Sequence, residues 1–318
     1  MSEAAATPGA LQGTLDELEA IRVRTRQQIG ARQKVLIPLC LAGGVVFWIV
    51  AQLSGDRDGL IGLLKILLVA GAAGWFWASH KLSEAYRRLY KERVLPQLAA
   101  QFGALTYRQA VPDLEALRRH RLFDEFDGWT CEDEIVGDYR GLPLSIVELK
   151  LTDGSGKDKR TVFDGLLTTV TLPRNLKGTT VVLPDRGMFG NLRDRLAGGG
   201  VERVVIEDPV FEKAYEVYGT DQISARALLT PAFMERFRKL AESGRFGPPI
   251  ALAQDARLLL AQPKGSVGNL FEPPSYRQPA AGRDALSALS GDIEHVLAVA
   301  DAVIDLDYAA RAQATPAP

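Results

Sequence analysis

Cysteine is scarce. Cys40 and Cys131 are the two in 318 residues, which excludes a disulfide scaffold and a zinc site of the CxxC…CxxC type. Histidine is as thin: His80, His120 and His295 are scattered, without the spacing of a metal site or a catalytic triad. Basic charge is not in excess, since 38 Lys and Arg face 39 Asp and Glu, and this excludes a generally basic nucleic-acid binder. There is no Walker loop, no G-x-S-x-G elbow, no HExxH and no G-x-G-x-x-G after a strand. No catalytic residue, metal or cofactor is assigned on this basis. What is present is ordinary for a globular chain, with 47% hydrophobic, 24% charged and 8% aromatic residues, so disorder over most of the length is excluded.

The even charge total hides a split. Residues 1–100 hold 12 basic and 8 acidic side chains, whereas residues 101–318 hold 26 and 31. Two long apolar runs sit in the basic part. Residues 35–53 carry no charge, and residues 60–78 carry Lys65 alone. At about 1.5 Å per helical residue each run spans roughly 28 Å, close to the thickness of a bilayer's hydrocarbon layer. Both are apolar on every face, unlike a helix resting on a soluble core. Arg22, Arg24, Arg26, Arg32 and Lys34 precede the first run; Lys81, Arg87, Arg88, Lys91 and Arg93 follow the second. Six residues, 54–59, connect them. Positive flanks mark the cytosolic side, so the reading is a two-pass hairpin in the cytoplasmic membrane with both termini cytosolic. Its partners are then the membrane lipids, and nucleic acid is not expected.

The expected organisation is a cytosolic tail and amphipathic helix over 1–33, the hairpin over 34–79 and juxtamembrane helices over 80–120. A cytosolic domain over 121–308 and a disordered tail over 309–318 complete it. Leu11–Gln33 reads as a helix capped by Thr14 with Glu17. Lys81–Phe102 reads as a second helix with Tyr86, Tyr90, Val94 and Leu95 on its apolar side, the two helices pairing as a stalk or lying along the headgroups. Trp129–Tyr139 and Leu144–Leu151 read as a hairpin around Arg140–Gly141. Arg160–Leu172, Thr179–Leu183 and Val201–Ile206 are further strands, and Ile250–Ala253 with Arg257–Ala261 a second hairpin. Ala232–Ser243 and Asp284–Leu306 are helices, the first with Thr230 as cap and Pro231 in its first turn. Strands followed by isolated helices, without regular βαβ alternation, indicate an α+β domain with mainly antiparallel strands and a C-terminal helix.

Few residues carry candidate chemistry. The carboxylates of CEDE, 131–134, read as the solvated edge of a hairpin. Lys157–Arg160 reads as an exposed loop that would meet phosphates or acidic headgroups. The most distinctive stretch is Glu207–Phe237, where Phe211, Tyr215, Val217 and Tyr218 cluster ahead of a turn. Asp221 and Arg226 are spaced to meet across that turn, either fixing it or serving a ligand. Tyr218, Asp221 and Arg226 are therefore the candidate binding residues. Two functions follow: a non-enzymatic protein- or lipid-interaction module at the membrane, or a membrane-proximal enzyme using carboxylates such as Glu207, Asp208 or Asp221.

The same stretch resembles the bacterial family known as domain of unknown function 3137. Glu207, Asp208, Phe211, Glu212, Lys213, Tyr215, Val217, Tyr218, Gly219, Asp221, Gln222, Ala225, Arg226, Leu229, Thr230 and Pro231 match its pattern. Phe163-Asp-Gly165, the segment from Lys177 to Asp185 and Leu270-Phe-Glu-Pro273 look like its other motifs. The likeness runs over about 80–308 and departs at Asp305-Leu-Asp-Tyr308, where many relatives have an L-N-x-R-like segment. It implies two preceding spans and no assigned activity. It also implies an association with membrane proteins of the LemA type, consistent with an assembly role at the bacterial inner membrane.

Overall fold

In the computed structural model of the chain, the described residues are 8–54, 80, 83–110, 113, 115, 117–118, 122–172, 176–185, 200–242, 244–265, 270–272 and 281–314. The chain divides into two units. A helical unit comprises Ala6–Leu95 and Glu272–Ala285, and a sheet-bearing unit comprises Pro96–Phe271 and Leu286–Pro318 with Met1–Ala5.

In the helical unit, helix α1 runs unbroken from Pro8 to Ser54 with Pro38 inside it. It starts six residues before Thr14, so Thr14 is not its cap, and the amphipathic segment and the first apolar run are one element. Helix α2 covers 83–99 and runs through Pro96. Tyr86, Tyr90, Val94 and Leu95 are buried, as their spacing predicts. Arg22 of α1 is also buried and pairs with Glu19 at 2.5 Å. Burial pushes the Tyr86 phenol above its ordinary pKa, and the nearby Arg22 pulls it the other way. Among the described residues no helix is long and apolar enough to cross a membrane. The run 60–78 lies outside the described residues, as do several side chains within 35–53.

The sheet-bearing unit is built on one antiparallel sheet of nine strands. They are β1 (Ala104–Gln109), β2 (Gly128–Tyr139), β3 (Leu142–Asp153), β4 (Arg160–Thr171), β5 (Thr180–Pro184), β6 (Glu202–Val204), β7 (Tyr215–Gly219), β8 (Ile250–Gln254) and β9 (Arg257–Pro263). Their order is β1-β2-β3-β4-β9-β8-β5-β7-β6. Both expected hairpins form. Arg140–Gly141 and Asp255–Ala256 all take positive φ, the turn geometry that matches the twist of the strands they join. The sheet begins at Ala104, inside the stretch assigned to juxtamembrane helices. The alternation of β1 is too short to declare itself, with Leu105 buried and Tyr107 half-buried.

Each face of the sheet is covered. Cys131, Leu149, Leu151, Phe163, Leu167 and Leu259 form a core with Leu122, Phe123 and Phe126, and the Phe123 and Phe163 rings lie 4.7 Å apart. Ile135, Leu144, Ile146, Leu166, Val170 and Leu260 occupy the opposite face and are also buried. Tyr139, on that second face, donates its hydroxyl to Asp301 of helix α6 (Ala281–Ala314) at 3.0 Å. The α6 residues Leu286, Leu289, Ile293, Leu297, Ala300 and Ile304 are buried, matching the predicted stripe. The helix continues past Tyr308 to Ala314, beyond the expected end.

Between β6 and β8 lie three short helices: α3 (Pro209–Glu212), α4 (Gln222–Leu228) and α5 (Pro231–Lys239). The sequence reading found α5 but neither α3 nor α4, and it took β7 for an aromatic cluster. Four of the five β7 residues are buried, so that strand shows no alternation to detect.

Candidate functional site

Seven polar residues on and beside the sheet line one cleft. Thr130, Lys150 and Asp164 lie opposite one another on β2, β3 and β4. Lys264 follows β9, and its N–H donates to the Asp164 carbonyl at 2.7 Å. A register shift between Cys131 and Glu134 interrupts the alternation of β2. Such a bulge re-aims side chains, and here the consecutive Glu132 and Asp133 both line the cleft. With Glu148 these residues enclose about 420 Å³ of empty space open to solvent.

This arrangement corrects the reading of CEDE as a solvated edge. β1 pairs with β2 along this segment, leaving Asp133 3% and Glu134 7% exposed. Tyr107 donates its hydroxyl to Asp133. Arg108 Nε and Ser145 Oγ each reach Glu134 at 2.6 Å. A buried carboxylate needs such partners to offset its lost hydration.

Glu148 and Lys264 form the centre of the cleft. Lys264 Nζ donates to Glu148 and lies 3.3 Å from Asp164, whose other oxygen meets Lys150 at 2.9 Å. Burial lifts the Glu148 carboxyl above the usual carboxylate range, against the pull of Lys264 and the Leu270 N–H. For Lys264, burial works against the charge, and the Glu148 and Asp164 carboxylates outweigh it, so its pKa is raised. The partners differ because Lys264 has two carboxylates to answer, whereas Glu148 has one ammonium and also faces Asp133. Four carboxylates and two ammonium groups line the cleft. Lys150 and Lys264 pair with Asp164 and Glu148, and no metal is assigned here.

The candidate residues of the distinctive stretch sit elsewhere in the unit. Asp221 is the N-cap of α4 and accepts from the Ser224 N–H at 2.8 Å. That bond holds its carboxyl below the usual range. Arg226 is exposed on α4, and no ion pair joins it to Asp221 among the described residues. Tyr218 is 7% exposed and donates its hydroxyl to Glu216 at 2.7 Å. Asp208 caps α3 through the N–H groups of Val210 and Phe211, and Glu207 is exposed. Between Asp221 and Arg226, Ile223 is 82% exposed.

Cys131 is buried, and its thiol is pushed up to about 12, chiefly by burial and then by Glu134 and Asp133. His295 is exposed, and His80 is 3.5 Å from Glu84. The side chain of Cys40, and His120 altogether, lie outside the described residues.

Residues 161–304 match the model of the family described as "Protein of unknown function (DUF3137)". Over this stretch the chain is similar to that family. The DUF3137 segment includes nearly all of β4 through to most of α6, and so carries Asp164 and Lys264. The other lining residues of the cleft, Thr130, Glu132, Asp133, Glu148 and Lys150, precede it. No functionally curated protein matches the chain. Among solved structures there is a likeness to the mycobacterial trehalose monomycolate transport factor A, TtfA, at 14% identity. It covers 66% of this chain and 97% of that one with a TM-score of 0.34, below the level of a shared fold.

Proposed function

We propose that the chain is a two-pass protein of the bacterial inner membrane, with both termini cytosolic. Its α+β unit acts there as a non-enzymatic module that binds a protein or lipid partner. The observation that carries the membrane reading is the exposed apolar surface of α1. Val35, Val45, Val46, Ile49 and Val50 are 43–66% exposed within a run of nineteen uncharged residues. Surface of that kind is costly in water and favourable in hydrocarbon. The arginines and lysines on both flanks support the orientation. Reporter fusions at residues 34 and 318 test it: both are expected on the cytosolic side, and an external C-terminus overturns the topology.

The binding reading rests on how the polar groups are used. Asp208 and Asp221 are caps, Tyr218 is largely buried, and the cleft carboxylates have hydroxyl, amide or ammonium partners. Binding is assigned to the surface of α4, where exposed Ile223 is flanked by Asp221 and Arg226. A membrane protein of the LemA type is the partner suggested by family resemblance. Crosslinking with mass spectrometry in native membranes tests this. The Ile223→Asp chain is expected to lose the crosslinked partner; retention of it removes α4 from the binding surface.

The enzymatic reading has one observation in its favour, the raised carboxyl of Glu148 beside three further carboxylates in an open cleft. Turnover in a metabolite screen that disappears in Glu148→Gln, with no partner recovered by crosslinking, reverses the preference.

A further inference from the structure

The chain crosses from the sheet-bearing unit to the helical unit between Phe271 and Glu272. On the sheet side the last two residues are held firmly. Phe271 is fully buried and Leu270 is 6% exposed. The Leu270 N–H donates to Glu148 Oε2 at 3.1 Å, while the other oxygen of the same carboxylate accepts from Lys264. The Glu148 and Lys264 side chains are only 12% and 11% exposed. A carboxylate so placed has little water to fall back on, so both bonds matter. A hydrogen bond to an ionised acceptor is also about twice as strong as a neutral one. Just past the crossing, Glu272 is held within the helical unit by Lys91 Nζ at 2.9 Å and Arg87 Nε at 3.1 Å. Within the sheet-bearing unit, the segment that ends at Phe271 is therefore held by a carboxylate of the cleft.

We propose that Glu148 is a positioning residue, a charge-operated clamp on the backbone at Leu270, so that the firmness with which Leu270 is held to the sheet follows the charge state of the cleft. The geometry assigns each residue a part. Lys264 orients the carboxylate from β9, and Asp164 of β4 orients Lys264 in turn. Lys150 neutralises Asp164, and the Leu270 amide takes the oxygen that remains. The clamp extends the binding reading, since a partner engaging the cleft would change that charge state. It does not depend on that reading, because the experiment below contains no partner.

The test is amide hydrogen exchange of the full chain in detergent micelles, read on peptides over 265–272 and, as internal control, over β3, β4 and β9. Glu148→Gln keeps the shape but removes the charge. It is expected to speed exchange at Leu270 roughly tenfold, while the strand peptides change much less. Should Lys264, deprived of Glu148, unsettle the sheet in that variant, the pair Glu148→Gln with Lys264→Met removes both charges. Strand protection is then expected to recover while Leu270 stays fast. Glu148→Asp, which keeps the charge but shortens the reach, is expected to leave Leu270 fast as well. Wild-type exchange at Leu270 in the double variant overturns the clamp, as does loosening of Leu270 only in step with the whole sheet.

Discussion

Removing the Phe237 ring tests the packing that supports the proposed binding surface. Phe237 lies on α5 with no exposed area, at the centre of a group of rings. Tyr215 meets it edge-on at 5.1 Å between centroids, Phe233 stacks at 5.5 Å and Phe211 lies at 6.2 Å. Phe211 and Tyr215 stack in turn at 5.0 Å. One ring thus joins α3, β7 and α5, the elements on either side of α4. Phe237→Ala removes that apolar area and leaves a cavity whose walls, strand and helix backbones, have little freedom to collapse. The expected cost is about 3–5 kcal/mol. Against a typical stability of about 5–15 kcal/mol this is roughly a fifth or more of the total.

For a unit of this size, 1 kcal/mol shifts the Tm by about 2–4 °C, so a fall of roughly 6–20 °C is expected. Near-ultraviolet circular dichroism of the full chain in micelles follows the aromatic packing directly. Phe237→Leu keeps most of the volume and is expected to cost about 1 kcal/mol. Ile223→Ala changes an exposed side chain and is expected to stay within about 0.5 kcal/mol of wild type. A Phe237→Ala chain melting within 2 °C (about 1 kcal/mol or less) of wild type refutes the ring-centred packing. Crosslinks at α4 are expected to weaken in Phe237→Ala and to survive in Phe237→Leu.

Three further outcomes follow from the same packing. Gly165→Ala would place a Cβ far inside contact distance of the Gln262 carbonyl oxygen on the neighbouring strand. The β4–β9 pairing is expected to separate at a cost of about 1–3 kcal/mol or more, read as faster amide exchange on β9; unchanged exchange refutes the close approach. Thr230→Ala removes the oxygen that accepts from the Phe233 N–H and is expected to cost about 1 kcal/mol in chemical denaturation. Thr230→Ser is expected to restore it. In a Cys40→Ser background, Cys131 is expected to resist iodoacetamide at pH 8 until the chain is unfolded, because alkylation needs the thiolate. The sign of its pH effect follows. A pKa raised to about 12 contributes stability that is present below the ordinary thiol range and lost as pH rises towards 12. Cys131→Ala is expected to flatten that alkaline loss, measured as denaturation midpoint against pH.

Local rules were legible in the sequence, whereas the pairing that makes the cleft was not. The 140–141 and 255–256 turns, the Thr230 cap and the buried stripe of α6 depend on neighbours a few residues apart, and each was read correctly. CEDE was misread because its burial depends on β1, which begins some thirty residues earlier. β7 was missed because a strand buried on both faces carries no period of two. Glu148, Asp164 and Lys264 are spread over more than a hundred residues, so only strand register brings them together. Apart from the Asp164 position within Phe163-Asp-Gly165, no motif marked them.

That contrast bears on what the family signature means. Within Glu207–Pro231, Asp208, Asp221 and Thr230 are N-caps of three successive short helices. Pro209 and Pro231 open two of them, and Phe211, Tyr215, Val217, Tyr218, Ala225 and Leu229 are buried. Gly219 admits the close approach of Ala225, whose Cβ would lie 3.2 Å from an added Cβ. Gln222 ties α4 to β6 by donating to the Arg203 carbonyl at 3.2 Å, and Arg203 meets Glu212 at 3.8 Å. Most of what makes the stretch recognisable is therefore instruction for folding a strand with three capped helices. The residues that instruction leaves exposed, among them Glu207, Lys213, Ile223 and Arg226, are spread over a surface and do not converge on a pocket. A surface of that kind has the spread-out character of a macromolecular contact more than the concavity of a small-molecule site.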